Sequence, residues 1–70
     1  MNEALKIAVL YGGISSEREI SLLSGQNVAD ALKSKGHDVQ LIDTKEKSQI
    51  QKLVSENFDI AYIALHARYL

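Results

Sequence analysis

The stretch Leu5-Lys6-Ile7-Ala8-Val9-Leu10-Tyr11-Gly12-Gly13 decides how this chain is read. A short apolar run, partly β-branched and halted by two glycines, reads as a buried strand and not as a helix. Just downstream, Ser16 and Glu19 have the Ser-x-x-Glu spacing of a capping box, which predicts a helix start. Ile20, Leu23, Val28, Ala31 and Leu32 fall roughly along one stripe of that helix, Lys33 and Lys35 occupy its last turn, and Gly36 stops it. Gly25 sits in the middle, where glycine costs ~1 kcal/mol relative to alanine. Close contact with a sheet accounts for it.

Working outward, Val39-Gln40-Leu41-Ile42-Asp43 is a second short strand. Asp43 or Thr44 can cap a second helix, with Ile50, Leu53 and Val54 as its buried face and Asn57 as its end. Asp59 to Leu65 is a third strand, nearly continuous in apolar residues. The alternation β-α-β-α-β predicts an α/β fold with a three-stranded parallel sheet, half of a Rossmann-like domain, over residues 1–70. Right-handed crossovers allow the orders 1-2-3 and 2-1-3. Strands 1 and 3 need cover on both faces, which favours 2-1-3 with one helix on each side.

Composition excludes several function classes. Eight Lys+Arg against nine Asp+Glu leave a net charge of −1, so nothing points to nucleic acid or an anionic membrane. The absence of cysteine excludes disulfides and thiolate metal sites and fits a reducing, cytoplasmic compartment. The longest apolar run, Ile60 to Leu65, is too short to span a bilayer, and the N-terminal residues do not form a signal peptide.

In a 2-1-3 sheet, strands 1 and 3 lie side by side at a topological switch point, outside whose carboxyl ends ligands bind. The loops Gly12–Glu17 and His66–Arg68 meet there. The first matches neither G-x-G-x-x-G nor G-x-x-x-x-G-K-[ST], and Glu17 and Glu19 would repel a nucleotide phosphate. The same carboxylates favour an ammonium group. Each residue also has a plainer role: Glu19 as capping partner, Glu17 as a dipole-stabilising acid, Ser15 and Ser16 as caps. Arg18 reads as a solvated or ion-paired neighbour, His37 as a solvated turn residue, and His66 as either structural or functional.

The run Ile7-Ala8-Val9-Leu10-Tyr11-Gly12-Gly13-Ile14-Ser15-Ser16-Glu17-Arg18-Glu19-Ile20-Ser21-Leu22, followed by Ser24-Gly25, resembles the opening of the D-alanine–D-alanine ligases, members of the ATP-grasp superfamily. The spacing to Gly36-His37-Asp38-Val39 and to Ala64-Leu65-His66 is similar too. The resemblance covers essentially the whole chain but only the first part of the family's N-terminal domain, so the chain reads as a truncated segment. It implies an enzyme that uses ATP and Mg2+ to join two D-alanines for peptidoglycan, with both cofactors bound by the full-length parent and no metal site in this segment. It further implies that Glu17 fixes the ammonium group of the first D-alanine and that His66 lies beside its carboxyl. Gly12, Gly13 and Ser16 would shape the loop that carries Glu17. At Ala67 the sequence departs from the family, which has glycine there.

Two other readings stand beside the ligase segment. One is a stand-alone small-molecule-binding α/β module without catalysis. The other is self-association, because a sheet this small buries only ~60% of its unfolded surface. In the 2-1-3 order the strand at 59–65 is then an edge, with Ile60, Ala61, Ile63, Ala64 and Leu65 facing outward.

Overall fold

A computed structural model describes residues 4–13 and 17–64. The elements are β1 (Lys6–Tyr11), α1 (Arg18–Ser34), β2 (Asp38–Asp43), α2 (Lys47–Ser55) and β3 (Ile60–Ile63). All pairings are parallel and the order is β2-β1-β3, so the α/β fold and its strand order are those the sequence predicts. Ala8 and Val9 point to opposite faces of β1 and both are fully buried, as a central strand covered on two sides requires.

Register fixes what each face contains. Val9 pairs with Leu41 and Tyr62, while Ala8 pairs with Gln40 and Ala61. The α1 face holds the core of Ile7, Val9, Ala29, Val39 and Ala64, with Leu5, Val28, Leu32 and Leu41 packed around it. A Cβ at Gly25 would stand 3.3 Å from Leu41 Cδ2 and 3.6 Å from Val9 Cγ1, so the glycine does mark close contact of helix with sheet. On the other face, Gln40 Nε2 donates to Glu56 Oε1 (2.9 Å), tying the end of α2 over β2. Lys6 Nζ pairs with the same carboxylate at 3.0 Å and lies 5.2 Å from the Phe58 ring centre. These donors, Lys6 first and then Gln40, hold the Glu56 carboxyl below its usual range.

Several expectations need correction. The buried stripe of α1 is Ser21, Gly25 and Ala29, with Val28 and Leu32 beside it, whereas Ile20, Leu23 and Ala31 are exposed. Small residues win these positions because they allow the helix backbone to approach the strands. Glu17 stands at the N-cap of α1 and makes no side-chain cap bond, and the capping reading of Ser16 lies outside the described residues. The N-cap of α2 is Glu46, so Asp43 and Thr44 do not cap it. Instead the Asp43 carboxylate and carbonyl accept the N–H groups of Lys45 and Glu46, turning the chain before the helix. Val54 is 86% exposed, leaving Ile50 and Leu53 as the partly buried residues of α2. The helix ends at Ser55, before Asn57.

His37 is partly buried, and its Nδ1 accepts the Leu5 N–H at 3.0 Å, so it closes the amino end of β1 instead of facing solvent. In β3, Ile60 through Ile63 are exposed, but Ala64 is buried and donates to the Leu10 carbonyl at 2.7 Å. Leu65 lies outside the described residues. Among those described, no helix is long and apolar enough to cross a membrane.

Candidate functional site

The carboxyl ends of the three strands converge on Gly12, Asp43 and Ala64. After Tyr11 the backbone passes through φ +148° at Gly12 and +100° at Gly13, a region that side-chain-bearing residues rarely adopt. Gly12 also has no room for a side chain, since a Cβ there would overlap Thr44 Oγ1. Thr44 is fixed in that position because its N–H and hydroxyl both donate to the Tyr11 carbonyl, at 3.0 and 3.1 Å. Gly12 is thus required by its φ and by Thr44 beyond the end of β2, and Gly13 by its φ alone.

Glu17 opens α1 directly beside this turn, and a Cβ at Gly13 would stand 4.0 Å from Glu17 Cβ. With Glu19 in the first helical turn, two acidic side chains stand at the amino end of α1, where the helix dipole is positive. The intervening Arg18 turns toward β2, where Nη2 donates to Asp43 Oδ2 at 2.8 Å. The hydrogen bond and charge of Asp43 raise the Arg18 pKa. In return, Arg18 first and the Lys45 N–H second hold the Asp43 carboxyl below the usual range. Arg18 is therefore an ion-pair partner, one of the two plain readings its position offers. Its charge is matched by Asp43.

Ser21 is fully buried one turn into α1. Its Oγ accepts the Gly12 N–H at 2.9 Å and donates to the Ala64 carbonyl at 2.7 Å. One hydroxyl thereby bridges the turn after β1 and the end of β3. The sequence signal for Ser21 is a small-residue stripe, Ser21, Gly25 and Ala29 at four-residue spacing, weaker than the apolar one beside it. Asp43, whose place before α2 suggests a cap, is instead the counter-ion of Arg18.

Of the predicted site residues, Gly12, Gly13 and Glu17 stand together at the carboxyl edge. Ser16 and His66 lie outside the described residues, His66 two positions beyond Ala64. Among the described residues no three His, Cys, Asp or Glu side chains converge as metal ligands.

An open parallel sheet with a glycine turn and an acid-headed helix at its switch point defines a Rossmann-like α/β unit. Residues 6–68 match the family described as D-ala D-ala ligase N-terminus, and the chain belongs to that family. It is similar to D-alanine–D-alanine ligases of Anaeromyxobacter sp. (strain K), 50% identical over 64 residues, and of Bordetella pertussis, 52% identical over 64 residues. In each case 91% of this chain covers 20% of the relative. A Halalkalibacterium halodurans D-alanine–D-alanine ligase is 50% identical with 21% covered, so the chain spans about a fifth of the length of these relatives.

Proposed function

We propose that this chain is the part of a D-alanine–D-alanine ligase that positions the first D-alanine, Glu17 receiving its ammonium group. The observation that supports this best is the placement of Glu17 at the head of α1, beside a turn that only glycines can make. A negative charge held at that point attracts a cationic amine. The family resemblance assigns Gly12, Gly13 and Ser16 to the loop that carries Glu17, and His66 to the substrate carboxyl. ATP with Mg2+, bound by the remaining four-fifths of such a ligase, would supply the phosphoryl group that activates this carboxyl. The amine of the second D-alanine then displaces phosphate, giving a dipeptide for peptidoglycan in the cytoplasm, where ATP is made available.

The test is a chimaera in which residues 6–68 replace the matched segment of the Bordetella pertussis ligase. ATP-dependent D-alanyl-D-alanine formation is expected, with Glu17→Gln raising the D-alanine KM at least tenfold, about what loss of one buried charge-assisted contact costs. An active chimaera whose D-alanine KM ignores Glu17→Gln overturns the assignment.

A second reading rests on β3. Among the described residues it is paired on the β1 side only, with Ile60, Tyr62 and Ile63 each about half exposed or more. A second copy of the chain, adding its own β3 to this edge, is the occupant we propose.

A further inference from the structure

We infer that Ser21 is a positioning residue for the first-substrate site, its hydroxyl tying the start of α1, which carries Glu17, to Gly12 and to the end of β3. The inference rests on the reading of Glu17 given above, and its basis lies in three buried groups. Gly12 N–H donates to Ser21 Oγ at 2.9 Å, and Ser21 Oγ–H donates to the Ala64 carbonyl at 2.7 Å. Both bonds are buried, and Ser21 and Ala64 are 0% and 6% exposed.

A hydroxyl has one proton to give, so the chain of bonds runs in one direction: Gly12 to Ser21 to Ala64. Neither Gly12 nor Ala64 can be served by the β1–β3 ladder at these atoms, because the ladder ends with the Ala64 N–H on the Leu10 carbonyl. The link is also short in sequence on one side only. Ser21 stands four residues after Glu17 on a single helical turn, yet 43 residues before Ala64. Movement of the helix start relative to β3 must therefore stretch one of these two bonds. Water cannot replace the hydroxyl in a site that excludes solvent, so its removal leaves a donor and an acceptor unpaired and the start of α1 no longer tied to Gly12 and Ala64. A shift of the order of 1 Å at a substrate-positioning group costs up to ~100-fold in rate or affinity terms.

The test uses the same active chimaera and a pair of variants matched in size, Ser21→Thr and Ser21→Val. Thr keeps the hydroxyl and Val does not. Ser21→Val is expected to raise the D-alanine KM roughly tenfold or more, with the ATP KM within about twofold of the parent, and Ser21→Thr to stay near the parent. Ile42→Val, a fully buried residue on the opposite face, serves as a purely structural comparison. It is expected to lower the thermal midpoint without moving the D-alanine KM. Combining Glu17→Gln with Ser21→Val should raise KM no further than Glu17→Gln alone, because Ser21 acts through Glu17.

Equal KM values for the Thr and Val variants overturn the proposal, as does an equal KM rise in Ile42→Val. If Glu17→Gln itself leaves KM unchanged, the reading of Glu17 fails. If Glu17→Gln raises KM and Ser21→Val does not, that reading stands and the role of Ser21 alone is refuted.

Discussion

Arg18 Nη2 lies 2.8 Å from Asp43 Oδ2, so the first residue of α1 is tied to the last residue of β2. The pair crosses the carboxyl edge of the sheet beside Gly12, where Arg18 Nη1 would come within 3.7 Å of an added Cβ. Its effect is to fix the angle at which α1 leaves the turn, and with it the position of Glu17.

This pair makes stability depend on acid. The folded Asp43 carboxyl titrates below its ordinary range because Arg18, then the Lys45 N–H, favour the ionised form. The unfolded carboxyl titrates near ~4. The resulting stabilisation is complete above that value and is lost as pH falls through the lower folded value. Glu56 adds a contribution of the same sign through Lys6 and Gln40. Asp43→Asn is therefore expected to lower the thermal midpoint by several degrees at pH 7 and to flatten its decline below about pH 4. Melting curves by circular dichroism between neutral and acidic pH check both; a midpoint at pH 7 unaffected by Asp43→Asn contradicts this account.

Gly12→Ala is expected to destabilise the fold by ~1–3 kcal/mol, since it demands an unfavourable φ and a Cβ where Thr44 Oγ1 stands. Thr44→Ala removes the overlap but not the backbone strain. Gly12→Ala should therefore cost less in the Thr44→Ala background than in the parent, a coupling that urea denaturation of the four proteins measures. Additive costs would show that Thr44 is not what excludes the side chain.

The exposed edge of β3 is expected to associate. Sedimentation at micromolar concentration should show a dimer or larger species, and Ile63→Lys, placing a charge on a residue 63% exposed, should shift it to monomer with little loss of secondary structure. A well-folded monomer in the parent chain removes the second reading.

The sequence by itself determined the alternation of strands and helices and the strand order. Apolar runs, glycine stops and helix periodicity are local signals, and right-handed crossovers leave few topologies. It also determined the family, through the run from Ile7 to Gly25, and the company of Gly12, Gly13 and Glu17, which are neighbours along the chain.

Tertiary structure alone decided which residues meet across the sheet. Ser21 reaches Ala64, Arg18 reaches Asp43 and His37 reaches Leu5 over separations of 43, 25 and 32 residues. No periodicity encodes such meetings, because they depend on register and on how closely α1 lies to the strands. The same closeness turned Ser21, Gly25 and Ala29 inward and left Ile20 and Leu23 in solvent: a helix that must touch the backbone of a sheet buries its smallest side chains, not its most apolar ones.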